Sequence, residues 1–293
     1  MKKIAKKIYR TLFPVRYISE QQKIESYIKK GRIPWSDGYP NYKWMSINQS
    51  LASQTIMDAF RNNKLPDGFG VGLDERIVEY PWIFSSLKES SKRLLDAGST
   101  FNCEAILNLK ELKNKELIIY TFHPESVSFN EKKVSYVYGD LRELPFKNGW
   151  FEDVVCQSTI EHIDMDNSMY GYDLAHSGET KAKSYEYIKV INELVRVLCS
   201  KGSLRITFPY GKFENHGFFQ QFDSEMLGKI TDILLNKGSY SLAFFRYFKD
   251  GWKIVSQAEC DSSESYNPHT GIGKGDDGAA HCRGICCINF NKS

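Results

Sequence analysis

Long hydrophobic runs and a strong excess of charge of either sign are both missing from this sequence. No segment reaches the roughly 18 consecutive apolar residues that a membrane-spanning helix needs. The first residues also lack the apolar core that is typical of a secretory signal. The net charge of +3 does not favour nucleic acid as a partner. The seven cysteines are odd in number and scattered, which argues against a disulfide framework and leads us to expect a cytoplasmic protein.

The composition is that of a globular protein, with 41% hydrophobic and 26% charged residues. A chain of 293 residues can bury the core of one large α/β domain. Glycines and prolines break residues 17–72 into short segments. Among them, the aromatic run from Arg32 to Met45 is either a cap over a pocket or ordinary packing. We predict an N-terminal helix and cap segment over residues 1–72 and a main domain over residues 73–293.

The first sixteen residues are basic and carry an apolar stripe at helical spacing. Six cations precede the first acid, Glu20, and Ile4, Ile8 and Leu12 recur every four residues. Such a helix can lie on an anionic membrane surface, where each basic group contributes on the order of 1 kcal/mol. A solvated helix that docks on the domain is the other interpretation. Peripheral contact of residues 1–16 with the inner face of a membrane is therefore a hypothesis.

Beyond residue 73, strand-like and helix-like patterns alternate. Helical spacing predicts helices over residues 74–90, 103–112 and 181–199. Apolar runs predict strands over residues 92–97, 116–121, 134–138, 151–158 and 203–208, with a closing strand near residue 288. This alternation predicts an α/β protein with a mostly parallel sheet and helices on both faces. Ligands of such sheets bind beyond the carboxyl ends of the strands, so the residues that follow each strand are the site candidates.

Three blocks of sequence carry a family resemblance. They are LLDAGSTFN (Leu94 to Asn102), GDLRELPFKNGWFEDVVCQSTIEHI (Gly139 to Ile163) and NELVRVLCSKGSLRITFPYG (Asn192 to Gly211). In order and spacing they resemble the class I, Rossmann-like methyltransferases that depend on S-adenosylmethionine. The resemblance implies a sheet of about seven strands with an N-terminal cap, S-adenosyl-L-methionine as cofactor, and methyl transfer as the reaction.

A narrower resemblance concerns the acceptor. The segments DERIVEYPW, STIEHIDMDNSMYG and PYGKFENHGFFQQFD resemble methyltransferases that are encoded with bacterial surface-polysaccharide enzymes. They lie before the cofactor loop and as insertions after the fourth and fifth strands. The acceptor implied is a hydroxyl of a sugar in an O-antigen or capsule glycan, or of its activated precursor. Because fold does not fix function, a scaffold in glycan assembly or an enzyme of a different reaction is the alternative.

The family resemblance also implies the residues that hold the cofactor. Asp140 would accept a hydrogen bond from the adenine amine, while Asp96 and Gly98 would shape the loop around the methionyl part. The residues implied in cofactor binding are Asp96, Gly98, Ser99, Thr100, Thr121, Asp140, Leu141, Gln157 and Ser158.

Two departures from the family pattern concern this cofactor site. Thr100 and Asn102 replace the later glycines of the family's loop, and their side chains can crowd the backbone approach. The acid that usually follows the second strand and binds the ribose is also missing, with Thr121 near its place. Either Glu125 reaches back, or the ribose is held differently, or the cofactor is not held at all.

The catalytic candidates are His162 and Glu161, which follow the fourth strand. An imidazole suits deprotonation of a hydroxyl near neutral pH, and Glu161 can orient it or the substrate. Alternatively, both residues order the loop or begin a helix. The polar and aromatic segment after the fifth strand suits a sugar ring, or is an ordinary connection into the next helix. Its substrate-binding candidates are Tyr210, His216, Gln220, Gln221 and Asp223.

The C-terminal segment HCRGICC raises the question of a metal site built from Cys282, Cys286 and Cys287. Adjacent residues of a strand point to opposite faces of its sheet, and the following INF is typical of a closing strand. We therefore predict no metal site formed by these three cysteines, and no resident metal.

Overall fold

The strands of the main domain begin at residue 93. The computed structural model describes residues 19–90, 92–168 and 182–293. Its strands are β1 (Arg93–Ala97), β2 (Glu116–Thr121), β3 (Ser135–Tyr138), β4 (Phe151–Gln157), β5 (Leu198–Pro209), β6 (Glu214–Asn215), β7 (Gln220–Gln221), β8 (Gly238–Phe248), β9 (Gly251–Val255) and β10 (Gly284–Lys292). The basic segment over residues 1–16 lies outside the described residues, so its contact with a membrane stays a prediction.

Eight of these strands form one sheet, in the order β3-β2-β1-β4-β5-β10-β8-β9. The first five strands pair in parallel, and β10, β8 and β9 pair antiparallel. The α/β, Rossmann-like fold class with a mostly parallel sheet is therefore confirmed. The sheet has eight strands rather than about seven because β9 turns back from β8 as an extra edge strand.

The helices are α1 (Glu20–Lys29), α2 (Tyr39–Ala52), α3 (Gln54–Arg61), α4 (Arg76–Ser86), α5 (Glu104–Leu107), α6 (Tyr187–Val197), α7 (Ser224–Leu235) and α8 (Gln257–Cys260). Short 3-10 helices span Asn130–Lys132 and Ile160–His162. No helix in the described part of the chain is both long enough and apolar enough to cross a bilayer.

The predicted helix over residues 103–112 is wrong beyond Leu107. After that residue the backbone forms separate turns, with the Leu109 amide bonded to the Ile106 carbonyl and the Leu112 amide to the Leu109 carbonyl. Leucines and isoleucines three residues apart fit such turns as well as they fit a helix. The apolar spacing alone did not distinguish between the two structures.

The N-terminal segment, which the sequence presents as short irregular pieces, forms the three helices α1 to α3. Ser19 and Gln22 make a capping box at the start of α1, and Ser53 caps α3. Pro40 lies in the first turn of α2, where its missing N–H costs nothing. The residues that punctuate the segment therefore mark helix ends. Tyr27 and Tyr39 are fully buried and pack into the same core as the sheet.

Helix α4 connects this N-terminal segment to the sheet. Ile77, Ile83 and Phe84 are almost completely buried, so the helix lies between apolar neighbours. Glu79 is also fully buried in its middle, 0% exposed. A buried carboxylate is costly unless other groups bind it, so the partners of Glu79 direct attention to the carboxyl ends of the strands.

Candidate active site

A cavity of about 290 Å³ opens beyond the carboxyl ends of β1, β2, β3 and β4. Strands β1 and β4 are neighbours in the sheet, but the chain continues from β1 to β2 on one side of this pair and from β4 to β5 on the other. Ligands of open α/β sheets bind at such a point. Six residues that the sequence assigned to the cofactor line it, namely Gly98, Thr100, Thr121, Asp140, Leu141 and Ser158, and so does the catalytic candidate His162. We call it the first cavity.

The loop after β1 is shaped by Asp96. This carboxylate is fully buried and accepts hydrogen bonds from the backbone amides of Thr100, at 3.2 Å, and Phe101, at 2.7 Å. Burial raises the pKa of Asp96 to about 7, although the hydrogen bonds from these amides lower it. The Thr100 hydroxyl also contacts Asp96 at 3.2 Å. Asp96 therefore orders the loop through hydrogen bonds to its backbone. Among the described residues, it is not one that lines the first cavity.

Gly98 and Ser99 give this loop its path. Gly98 has φ +128° and Ser99 has φ +62°, in the region that favours glycine. A Cβ on residue 98 would lie 2.0 Å from Thr159 Oγ1, so the loop approaches the end of β4 too closely for any side chain there. Ser99 carries a buried hydroxyl with no hydrogen-bond partner among the described residues.

Glu125, which follows β2, lies in the wall of the first cavity and is held by the loop after β1. Asn102, which replaces a loop glycine, donates from Nδ2 to Glu125 Oε2 at 2.7 Å. Its Oδ1 accepts from the Tyr136 hydroxyl at 2.8 Å, which fixes the amide. Glu125 lines the first cavity beside Thr121. Glu125 therefore contacts the loop after β1 and forms part of the wall of the first cavity.

Asp140 lies in the wall after β3 and is held by Arg142. Two guanidinium nitrogens of Arg142 lie 2.6 Å and 3.0 Å from Asp140 Oδ2. Burial opposes the charge of Asp140, but the bonds from Arg142 outweigh it and hold the pKa of this carboxyl below its usual value. Asp140 is therefore an ionised acceptor at neutral pH. Arg142 also reaches Glu186, at 3.1 Å.

Glu79 supports the end of β4 from helix α4. It accepts from Ser158 Oγ at 2.5 Å, Thr207 Oγ1 at 2.6 Å and Gln157 Nε2 at 3.2 Å, and pairs with Arg76 at 2.8 Å. Gln157 is thus turned toward Glu79 and does not line the first cavity. Sequence reasoning did not assign Glu79 a role, although an acid within the apolar run of DERIVEYPW is a detectable signal.

A second cavity, of about 190 Å³, adjoins the first. Arg76, Ser158 and His162 line both, so these three residues form the boundary between them. The N-terminal segment contributes Trp35 and Lys43 to the second cavity, which makes the Arg32 to Met45 run a cap over a pocket. The remaining wall residues are Asp74, Glu75, Glu161, Phe218, Phe219, Pro268, His269 and His281.

His162 on this boundary is held in one tautomer. Its Nδ1 lies 2.7 Å from the Phe218 carbonyl oxygen, which can only accept, so Nδ1 carries the proton. Burial lowers the pKa of His162 to about 4. The imidazole is therefore neutral at physiological pH, with Nε2 as its basic nitrogen.

Glu161 in the second cavity is 3% exposed. Burial raises the pKa of its carboxyl well above the usual value, so the group is a neutral acid at physiological pH. Its Oε2 makes no hydrogen bond within the described residues, and neither does Nε2 of His281. Buried polar atoms of this kind call for a partner, and both atoms belong to residues of the second cavity.

The substrate-binding candidates of the segment after β5 do not line either cavity. Gln220 and Gln221 are fully buried, and their amides bind backbone groups of Ser184 and Ser263. The same segment contributes Phe218 and Phe219 to the second cavity instead.

The other three candidates also have partners within the fold. The Tyr210 hydroxyl lies 2.5 Å from Asp261 Oδ1. Asp223 caps α7 by accepting from the Met226 amide. His216 stacks on Phe219 and bonds to Ser265, so it supports the cavity wall from outside.

Comparisons with known proteins relate the chain to others through its fold. No protein-family model and no curated protein matches the sequence. A solved S-adenosylmethionine-dependent methyltransferase of Methanosarcina mazei is similar with 13% identity and a TM-score of 0.43, over 72% of this chain and 96% of that one. The Burkholderia thailandensis 1,6-didemethyltoxoflavin-N1-methyltransferase, solved with its substrate and S-adenosylhomocysteine, shows 10% identity and a TM-score of 0.41, over 92% and 90%. Phosphoethanolamine N-methyltransferase 2 of Haemonchus contortus shows 12% and 0.45, over 84% and 59%. At such identities the likeness concerns the fold alone.

Proposed function

We propose that this chain transfers a methyl group from S-adenosylmethionine, bound in the first cavity, to a hydroxyl of a small polar ring compound in the second. The observation that carries the proposal is the boundary between the cavities, where Ser158 and the neutral His162 face both. An arrangement of two joined cavities with a proton acceptor between them suits a two-substrate transfer. A sugar of a bacterial surface glycan, or its activated precursor, is the acceptor class that we propose.

The residues of the first cavity fit the cofactor. Asp140 is an ionised acceptor for an amine at the end of β3, and Glu125 is an acceptor for a diol near the end of β2. Arg76 offers a cation for a carboxylate, and the loop at Gly98 brings backbone close to a ligand. S-adenosylmethionine supplies a methyl group on a positively charged sulfur, which is transferred in line to the acceptor.

The second cavity fits a small acceptor better than a large one. Its volume of about 190 Å³ lies below the roughly 300–1,000 Å³ of pockets for drug-sized ligands. Trp35, Phe218 and Phe219 provide apolar faces against which a ring can stack. Glu161 provides a neutral carboxyl that can both donate to and accept from a ring hydroxyl.

The first test is cofactor binding by calorimetry. Purified full-length protein should bind S-adenosylhomocysteine, and Asp140→Ala should weaken binding by about 1–3 kcal/mol because the variant loses a buried hydrogen bond to the ligand. Glu186→Gln is the matched control, since it also alters the environment of Arg142 without removing the proposed adenine contact. It should bind nearly as tightly as the unaltered protein.

Two outcomes would contradict this assignment. If the unaltered protein binds no S-adenosylhomocysteine at any accessible concentration, the scaffold alternative is favoured. If it binds the ligand but transfers no methyl group to any hydroxyl compound, a different reaction on the same fold is favoured.

A second test concerns the protonation state of Glu161. Because burial holds this carboxyl neutral, Glu161→Gln should preserve kcat and KM for the acceptor within about tenfold. Glu161→Ala should raise KM by roughly 10–100-fold, the effect of losing a buried hydrogen bond of 1–3 kcal/mol. Steady-state kinetics with the acceptor varied at saturating cofactor makes the measurement. Equal damage from both substitutions would show that an ionised carboxylate is required.

A further inference from the structure

Three side chains of metal-binding types meet at the wall of the second cavity. Glu75 precedes α4, while His281 and Cys282 precede β10, some 206 residues along the chain. His281 Nδ1 lies 3.4 Å from Glu75 Oε1, and Cys282 Sγ lies 3.3 Å from Glu75 Oε2. One ligand atom from each residue lies within 4.8 Å of the other two. Glu75 and Cys282 are buried.

The spacing of these atoms suits a shared ion. Bond lengths of about 2.0–2.1 Å to nitrogen and oxygen and about 2.3 Å to sulfur, at tetrahedral angles, separate neighbouring ligand atoms by roughly 3.3–3.6 Å. Glu75 Oε1 lies 3.4 Å from His281 Nδ1, within that range, and Glu75 Oε2 lies 3.3 Å from Cys282 Sγ, slightly under the roughly 3.5 Å expected for a sulfur and an oxygen on one ion. The contact from His281 Nδ1 is also longer than the roughly 2.7–3.2 Å of an ordinary N–H···O hydrogen bond. Hydrogen bonding alone therefore accounts less well for the position of His281.

The ligand types select the class of metal. A thiolate and an imidazole favour zinc and similar transition metals over magnesium or calcium, which prefer oxygen ligands alone. A thiolate from Cys282 and a carboxylate from Glu75 also supply two negative charges for a divalent ion. Three protein ligands leave one coordination position open, as in catalytic rather than structural zinc sites.

We propose that Glu75, His281 and Cys282 bind a divalent transition-metal ion of the zinc type, with its open position toward the second cavity. Glu75 and His281 both line that cavity, so a ligand there can reach the ion. The thiol proton of Cys282 leaves to solvent as its sulfur binds. The ligand that we assign to the open position is the acceptor hydroxyl, and this part of the proposal rests on the proposed function. Metal binding itself does not.

The proposal differs from the grouping that the HCRGICC segment suggests. Cys286 and Cys287 lie on β10 and pack into the cores on opposite faces of the sheet. The ligand set uses only Cys282 of the three cysteines and recruits Glu75 from the other end of the chain. No spacing rule within HCRGICC contains Glu75, which is why the sequence pointed away from a metal.

The experiment uses the full chain after removal of metals with a chelator. Titration with Co²⁺ should show one equivalent bound, with a sulfur-to-cobalt charge-transfer band and the visible absorption of a four-coordinate ion. Cys282→Ala should lose the charge-transfer band. The affinity of this variant for Co²⁺ should also fall by at least roughly 10–100-fold, because loss of a residue that only contacts a metal ligand already costs that much. Cys286→Ala, an equally buried cysteine four residues on, is the matched control and should keep both.

Three results would count against the metal site. Absence of stoichiometric Co²⁺ and Zn²⁺ binding in the unaltered chain overturns the proposal, and so does a charge-transfer band that survives Cys282→Ala. Glu75→Gln, which keeps the size of the side chain, should also weaken binding, and unchanged affinity in this variant counts against the site. S-adenosylhomocysteine binding is measured on the same samples. Cofactor binding without metal binding rejects only the metal site, and the reverse result rejects only the methyltransferase assignment.

Discussion

Replacement of His162 by alanine should lower kcat by roughly 10²–10⁴-fold, the usual range for loss of a general base. His162 is the neutral nitrogen base on the boundary between the two cavities. Its pKa of about 4 reduces its driving force for taking a proton, so we expect the lower half of that range. Affinity for S-adenosylhomocysteine should change little. Single-turnover and steady-state rates at saturating cofactor, together with calorimetry, make the measurement.

The pH profile gives a second readout of the same residue. Because the folded pKa of His162 lies near 4 and not near 6.5, Nε2 is unprotonated at every pH well above 4. The kcat of the unaltered protein should therefore not fall through an imidazole titration as pH decreases from 8 to 6. It should fall only as pH approaches about 4. A decline centred near pH 6.5 would show that His162 is solvated during turnover, against the geometry described.

His216 provides the matched control for His162. Burial also lowers the pKa of His216 to about 4, yet this histidine lines neither cavity. His216→Gln should keep kcat within a few-fold. If His162→Ala retains most of its kcat and only KM for the acceptor rises, His162 positions the acceptor and does not take its proton. Equal losses in both variants would indicate a general effect of altering the cavity wall.

The parallel half of the fold could be predicted because its signals are local. Buried strands such as Glu116–Thr121 are continuous apolar runs bounded by turns, and their order follows from alternation with helices. The cap helices were harder, since Ser19, Gly38 and Ser53 are helix-end residues that also occur in loops. Whether such residues begin a helix depends on the apolar face that follows finding a core to pack against.

The site could be predicted only where it follows the strands. Asp140 and Ser158 line the first cavity because the chain leaves a parallel strand just before each of them. Glu79 was missed because its partner Thr207 lies 128 residues away, so no local pattern reveals the contact. The amides of Gln220 and Gln221 looked available to a sugar, but backbone groups of distant segments bind them. Sequence shows which groups can form hydrogen bonds, and tertiary structure decides which are already occupied.

Replacement of Glu79 should have the largest combined effect on stability and cofactor binding. Glu79→Ala removes the partner of Arg76 and leaves the hydroxyls of Ser158 and Thr207 without their acceptor. Breaking a buried ion pair from one side costs about 3–5 kcal/mol, a large part of a typical total stability of 5–15 kcal/mol. Denaturant unfolding should show this loss. The isosteric Glu79→Gln should lose less and stay folded for binding measurements.

Asp153 separates the two consequences, because it is a second buried carboxylate that touches neither cavity. It pairs with Lys115 at 2.8 Å and Arg205 at 3.3 Å, so Asp153→Ala should also cost about 3–5 kcal/mol. Only the Glu79 variants release Ser158 and Arg76, which line the first cavity. At a temperature where each variant is folded, Glu79→Gln should bind S-adenosylhomocysteine at least about tenfold more weakly, through loss of part of a buried hydrogen-bond network. The folded Asp153→Ala should bind it normally. If both variants lose affinity in proportion to their lost stability, Glu79 serves the fold alone, and the first cavity does not depend on α4 for its shape.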